Sequence, residues 1–356
     1  MYAVIMAGGK GSRFWPRSRE RKPKHLLDIV SDKTIIRETV DRIGPMIPPE
    51  RTLIVTGRRH AEELIKQLPE IPEENIIIEP MGRNTAPCIG LAALHVKRKA
   101  PESVMLVLPS DHLIAEEPQF RKILGVAAAA ARQGANLVTI GIRPMGPETG
   151  YGYIEQGDEQ GEIEGEKIYD VRSVREKPDL EQARAMLAQG GFSWNSGMFI
   201  WTVAAILKAL EAWLPELYDG LLHIEKAMGT SQEAAVIDQV YRTTRSVSID
   251  YGVMEKAKNT LVIPGDFGWS DVGSWDALWE VSARDEKGNA IRGQVINVDS
   301  RNCLVHSPAK TVALVDVEDL IVVETGDALM ICRRGSSQDV RKAVEQLEKD
   351  NRGELL

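Results

Sequence analysis

Through the first half of the chain, short apolar runs alternate with longer stretches whose apolar positions recur every three or four residues. Tyr2-Ala3-Val4-Ile5-Met6 is too short for a helix and reads as a strand, as do the runs 52–56, 75–78, 104–108 and 137–141. Between them, 34–43, 59–67, 87–99 and 118–132 carry helical spacing, the last reinforced by the alanine run 127–131. Strands and helices in turn predict an α/β fold: a Rossmann-like mixed, mainly parallel sheet flanked by helices, with ligands gathering at the carboxyl ends of the strands.

Past residue 145 the pattern changes. The stretch 146–165 is rich in glycine and acids, so Gly150-Tyr151-Gly152-Tyr153-Ile154 reads as an edge strand entering a hairpin. Strands are expected at 170–176 and 195–201, and helices at 202–213 and 233–241, with Leu210, Trp213, Leu214 and Leu217 as core. The polar stretch 283–289 reads as a linker. Beyond it, the short β runs 293–298, 302–306, 311–315, 319–323 and 328–332 follow one another without helices, and an amphipathic helix spans 336–349. Two domains are expected, 1–288 and 289–356. Strand spacing alone leaves the second open between a β-helix and part of a sandwich, and no longer repeat stands out.

Composition adds limits. The 356 residues are 43% hydrophobic, enough for an ordinary core. Cys88, Cys303 and Cys332 are too scattered for a disulfide framework or a metal knuckle, which suits a reducing compartment. The first strand begins without a charged and apolar leader, and no apolar run reaches membrane-spanning length, so a cytoplasmic location without membrane attachment is expected. The net charge of −8 disfavours nucleic acid as a partner and makes the local excess of Lys and Arg over 10–24 more meaningful.

That excess surrounds the loop Gly8-Gly9-Lys10-Gly11-Ser12-Arg13-Phe14-Trp15-Pro16, which follows the first strand directly. Its glycines allow positive φ and close approach of backbone N–H groups to a polyphosphate, and Arg13 and Lys24 add full charges. The spacing is neither that of a P-loop nor that of a dinucleotide fingerprint, which argues against a dehydrogenase. Further along, Asp111 ends an apolar strand and Asp271 lies in a glycine-rich loop, each an oxygen ligand suited to Mg²⁺ or, equally, a turn former. Asn84-Thr85-Ala86-Pro87 can cap a helix; Glu176-Lys177 can be a surface pair; Asn195-Ser196-Gly197 can be a turn. Six scattered histidines show no triad or metal spacing.

The order G-G-x-G-x-R-F-W-P-x-S-R-x-x-x-P-K resembles the signature of the sugar nucleotidyltransferases, in the form seen in mannose-1-phosphate guanylyltransferases. The resemblance extends through E-P-x-x-R-N-T-A-P, P-S-D-H, G-Y-G-Y, V-R-E-K-P, N-S-G-M-F, S-I-D-Y-x-x-M-E and W-x-D-x-G-S-W, to about residue 335. It implies transfer of GMP from GTP to mannose 1-phosphate, with Mg²⁺ as cofactor, and a homodimer whose second domain is a short left-handed β-helix. By the same resemblance Arg13, Lys24, Asp111 and Asp271 are catalytic, the two aspartates being metal ligands. Gly8, Gly9, Gly11, Ser12, Arg13, Asn84, Thr85 and Ala86 would meet the nucleotide; Tyr151, Gly152, Glu176, Lys177 and Asn195 the sugar phosphate. His25 departs from the glutamine usual in the family. A related transferase with another sugar or base and a non-catalytic nucleotide sensor are the alternatives.

Overall fold

The computed structural model describes residues 1–9 and 11–356; Lys10, within the glycine loop, lies outside them. In chain order the strands are β1 (Tyr2–Ala7), β2 (Thr52–Gly57), β3 (Ile76–Glu79), β4 (Val104–Pro109), β5 (Leu113–Ile114), β6 (Leu137–Ile142), β7 (Gly152–Ile163) and β8 (Glu166–Glu176). They continue with β9 (Phe192–Thr202), β10 (Thr260–Gly265), β11 (Trp269–Ser270), β12 (Ala290–Val298), β13 (Leu304–Val315), β14 (Leu320–Glu324) and β15 (Leu329–Arg333). The chain divides into two compact units: 1–8, 41–110 and 114–269 form one, and 9–40, 111–113 and 270–356 form the other.

The first unit is built on a sheet ordered β3-β2-β1-β4-β9-β6-β10-β8-β7. The pairs β1–β2, β1–β4, β2–β3 and β6–β10 are parallel, while β9 runs antiparallel to both of its neighbours β4 and β6. This is the mixed, mainly parallel sheet that the alternating pattern predicts. Burial follows from it: β2 and β4 are apolar runs covered on both faces. The helix Thr85–Lys99 buries Ile89, Leu91, Ala92 and Val96 in a core shared with Val4, Val107, Trp201 and Ile206.

Residues 152–155 are not an edge. Tyr153 pairs with Arg175 on one side and with Trp194 on the other, so the hairpin strand is bonded to both β8 and β9. Two helices absent from the periodic pattern also appear. Leu180–Gln189 is held at its start by Asp179, whose carboxylate accepts from the Gln182 N–H at 2.8 Å, and Pro215–Ala227 starts on a proline.

The second unit contains a sheet ordered β12-β13-β14-β15. The first three strands are parallel with only a few residues between them, and β15 returns antiparallel. Hairpin connections cannot make such parallel neighbours, which excludes the sandwich alternative. Val298 faces Val315, Arg301 faces Glu318 and Leu304 faces Ile321, an offset of 17 positions (298 to 315, 304 to 321) that holds from Val295 on; before the irregularity between Gly293 and Val295 it is 14 (290 to 304). Corners recur at the same interval: Asp299 and Asp316, then Asn302 and Asp319, all have φ between 51° and 54°. Asn and Asp tolerate this left-handed region because their short polar side chains bond locally. The runs expected at 302–306 and 311–315 are one strand, β13, continuous through Pro308.

The sequence change at 288/289 marks where helices stop alternating with strands, but compaction divides the chain elsewhere. Phe14, Leu27, Ile29 and Ile35 share one apolar core with Val272, Trp275, Leu304, Ile321 and Val340. The glycine loop therefore belongs to the unit that carries the C-terminal strands. Among the described residues, no helix is long and apolar enough to cross a membrane.

Candidate active site

In the second unit the glycine loop follows β1 through Gly9 and Gly11, whose φ values of 91° and 61° are in the left-handed region. At Gly11 a side chain would also collide: a Cβ would stand 2.7 Å from Cβ of Lys24 and 2.9 Å from its backbone nitrogen. Gly11 opens the short 3₁₀ turn Ser12–Phe14, and Phe14 packs its ring on Trp275 with centroids 5.0 Å apart. The basic residues thus stand on a loop pinned by an aromatic anchor.

Lys24 is the hub. Its side chain is 9% exposed, and its Nζ donates to the Asp111 carbonyl at 2.8 Å, to Asp111 Oδ2 at 2.9 Å and to the Asp271 carbonyl at 2.5 Å. An ammonium has three donors, and all three are used. Asp111 and Asp271, far apart in sequence, are tied together by one charge. Burial pushes the Asp111 carboxyl upward, but Lys24 outweighs it, with His112 adding, and holds the group at about 2. The carboxylate is therefore ionised at neutral pH. Lys24 engages only Oδ2; among the described residues no hydrogen bond falls on Oδ1.

The Asp271 carboxylate lies against Gly273, where a Cβ would come within 2.7 Å of Oδ2 and 3.3 Å of Arg13 Nη1. Gly273 thus leaves room for the carboxylate and the guanidinium together. Arg13 is exposed and gives a hydrogen bond to Gln338 Oε1 at 3.1 Å. On its far side the loop is fastened by Trp15, whose Nε1 donates to the Leu355 carbonyl at 2.9 Å, and by Arg19, paired with Asp327 at 2.8 Å.

The first unit holds Gly8, Asn84, Thr85, Ala86 and the predicted sugar residues. Asn84 has a φ of 68° and caps the following helix, its Oδ1 accepting from the Thr85 N–H at 2.9 Å. Thr85 Oγ1 accepts from the Ile249 N–H at 2.8 Å, and the Ala86 N–H donates to the Val247 carbonyl at 3.1 Å. Capping, one of the two roles open from spacing, is what Asn84 Oδ1 does. Arg83 fastens the same loop by donating to the Tyr241 carbonyl at 2.8 Å.

Tyr151 sits edge-on to Trp194 and Trp269, with centroids 5.0 and 5.4 Å away. A Cβ on Gly152 would lie 2.4 Å from Glu176 Oε2 and 3.2 Å from Asn195 Cβ, so Gly152, Glu176 and Asn195 form one tight group. Glu176 Oε1 is 3.0 Å from Lys177 Nζ, and Lys177 is largely exposed. Asn195 Oδ1 accepts from the Gly197 N–H at 3.1 Å, and its Nδ2 donates to Asp250 Oδ1 at 2.7 Å.

Asp250, to which its S-I-D-Y motif alone assigns no role, is a member of this group. It opens a π-helix, Asp250–Met254, a geometry that interrupts regular helix bonding and recurs at functional sites. Burial, then the neighbouring Glu176 carboxylate, raise its carboxyl to about 6, against the lowering pull of Asn195. A raised acid contributes stability that is complete below its unfolded value of 3.8 and is lost as pH rises through about 6. Asp250→Asn keeps an oxygen to accept from Asn195 and removes the charge. Its melting temperature should exceed that of the parent at pH 7–8, the gap closing towards pH 4, when melting is followed across that range; an equal difference at every pH would show that charge burial is not the cause.

Residues 2–288 match the family described as nucleotidyl transferase, and residues 293–347 the MannoseP isomerase/GMP-like beta-helix domain. The chain is 42% identical to a mannose-1-phosphate guanylyltransferase of Escherichia coli over 99% of its own length and 75% of that protein's. It is 38% identical to the alginate biosynthesis protein AlgA of Pseudomonas aeruginosa, over 99% and 73%. This chain belongs to the mannose-1-phosphate guanylyltransferases. A solved structure described as mannose-1-phosphate geranyltransferase from Thermus thermophilus superposes with a TM-score of 0.88 at 34% identity, covering 98% of this chain and 99% of that one. Family membership accounts for the mixed sheet and for the parallel coil of the second unit together.

Proposed function

We propose that this guanylyltransferase-family chain transfers GMP from GTP to mannose 1-phosphate, releasing pyrophosphate. The observation that carries the reading is the Lys24 bridge between Asp111 and Asp271 beside a left-handed glycine loop, in a chain with relatives of that name. A phosphate monoester with a second pKa of ~6 is mostly dianionic at neutral pH, so the attacking oxygen needs no protein base. What the protein must supply is approach of two polyanions and compensation of charge on the leaving group.

A hard, oxygen-seeking cation suits this donor set. Asp111 is held ionised with no hydrogen bond on Oδ1 among the described residues, Asp271 offers a second carboxylate, and Mg²⁺ characteristically takes one or two protein carboxylates and fills the rest with phosphate oxygens and water. Bound there, Mg²⁺ would supply positive charge to the phosphates. Gly8, Gly9, Gly11 and Ser12 contribute backbone N–H groups for the triphosphate, with Arg13 as its cationic partner. Lys24 holds both aspartates in register. In the other unit, Tyr151, Gly152, Glu176 and Asn195 receive the sugar hydroxyls, Asp250 orients Asn195, and exposed Lys177 meets the sugar phosphate.

The base falls to Asn84, Thr85, Ala86 and the backbone around them. With Oδ1 already accepting from Thr85, Asn84 offers Nδ2, a donor suited to guanine O6 and opposed by the amino group that adenine carries there. The Gly82 carbonyl, and the second lone pair of the Arg83 carbonyl, which already accepts from the Val247 N–H at 3.3 Å, suit the guanine N1–H and 2-amino donors. An acceptor left unpaired costs roughly 1–3 kcal/mol, so catalytic efficiency should fall in the order GTP, ITP, ATP. The test is pyrophosphate release from purified protein, Mg²⁺, each nucleoside triphosphate and each hexose 1-phosphate. Equal use of GTP and ATP would remove the guanylyl assignment and leave nucleotidyl transfer standing; preference for another hexose would move the sugar. For the assembly, we read a homodimer, supported by the exposed apolar side chains of Ile296, Val298, Val315, Leu329 and Ile331 on the second unit's sheet.

A further inference from the structure

Arg13 does not stand alone on the glycine loop. Its Nη1 donates to Gln338 Oε1 at 3.1 Å, and Gln338 belongs to the 3₁₀ turn Ser337–Asp339, within the residues matched as the beta-helix domain. Hydrogen bonds fix that turn from several directions. Asp276 Oδ1 accepts from the Gly335 N–H at 2.7 Å, and its Oδ2 accepts from the Ser337 N–H at 3.0 Å and from Ser337 Oγ at 2.5 Å. Ser337 Oγ in turn accepts from the Asp276 N–H at 3.0 Å, and Ser337 is fully buried. Asp276 stands in the first turn of the helix Trp275–Val281, which closely follows the loop bearing Asp271.

A connected set of hydrogen bonds therefore runs from the helix after the Asp271 loop through Asp276 to the turn 335–338, and from the exposed Gln338 side chain to the guanidinium of Arg13. Gly335 makes the bend with a φ of 81°. The chemical identity of the last link matters. An amide oxygen orients a guanidinium without cancelling its charge, whereas a carboxylate in the same place would form an ion pair and compete with an incoming phosphate. We propose that Gln338 is a positioning residue, contributed by the C-terminal β domain, that aims Arg13 at the triphosphate while leaving its charge available. The inference rests on the reading of Arg13 as a phosphate partner and adds the residue that sets its direction.

Two substitutions separate this role from simple support of the fold. Gln338→Glu keeps an acceptor at the same reach and neutralises Arg13, so the KM for the nucleoside triphosphate should rise about tenfold or more, and binding of inorganic tripolyphosphate should weaken in parallel. Gln338→Ala frees the guanidinium without neutralising it, so kcat should fall by about tenfold with a smaller change in KM. Melting temperature is recorded for both. A residue that only supported the turn would tolerate glutamate, so Gln338→Glu within twofold of the parent in both KM and tripolyphosphate affinity overturns the proposal, even if Gln338→Ala fails to fold. A parent protein that binds tripolyphosphate but transfers no nucleotide would count against the proposed reaction, and the tripolyphosphate comparison would still decide the role of Gln338.

Discussion

Asp111→Asn and Asp271→Asn should each lower turnover by about two orders of magnitude or more while leaving the chain folded. Both expectations come from how Lys24 is used. The ammonium takes the main-chain carbonyls of both aspartates as well as Asp111 Oδ2, so an asparagine at 271 disturbs none of its bonds, and an asparagine at 111 can still offer a side-chain oxygen. What each substitution removes is a negative charge with which to hold a divalent cation. At position 111 there is a second consequence. The carboxyl lies at about 2, below its ordinary 3.8, so the ionised group contributes stability that is present above that ordinary value and is lost as pH falls through about 2. Asp111→Asn should therefore melt slightly lower at neutral pH, with the difference shrinking in strong acid. Steady-state pyrophosphate release against Mg²⁺ concentration, beside a melting curve, checks both. Near-parental Mg²⁺-dependent turnover in either variant would remove that aspartate from the metal assignment.

Much of this was readable from residues because the chemistry is carried by local sequence. A strand that runs straight into Gly8-Gly9-x-Gly11, an aspartate at the end of an apolar run and glycines beside Asp271 each leave a local mark. Three features leave weaker marks. From Val295 on, the second unit's coil repeats at 17 positions (304 to 321), but facing residues often differ in chemistry: His306 faces Val323, and Arg301 faces Glu318. Only the Asp and Asn corners at 299, 302, 316 and 319 betray it. The assignment of Phe14 and Leu27 to the C-terminal core depends on contacts across most of the chain length, which no window of sequence contains. Asp250 gave a signal, an acid in a motif, but its burial beside Glu176 and its bond to Asn195 arise only when β8, β9 and the π-helix meet.

Lys24→Ala should have the largest combined effect on stability and turnover, because one side chain serves both. Its removal strips the donor from two main-chain carbonyls and a carboxylate around a side chain that is 9% exposed. At roughly 1–3 kcal/mol for each acceptor left without a partner, the loss is a large part of a typical domain's margin of about 5–15 kcal/mol. Water entering the vacated space would recover some of it. Turnover should fall by about two orders of magnitude or more, since the Asp111 and Asp271 loops lose the charge that keeps them together. Lys24→Arg tests the geometry. A guanidinium restores positive charge, but its donors lie in a rigid planar fork, whereas these three oxygens surround a compact ammonium, and the close packing of Gly11 on Lys24 Cβ leaves little room for the loop to adjust. The arginine variant should regain part of the melting temperature and little of the turnover. If instead Lys24→Ala lost melting temperature but kept its kcat under conditions where it is folded, Lys24 would be a clamp for the two loops with no part in stabilising the reaction.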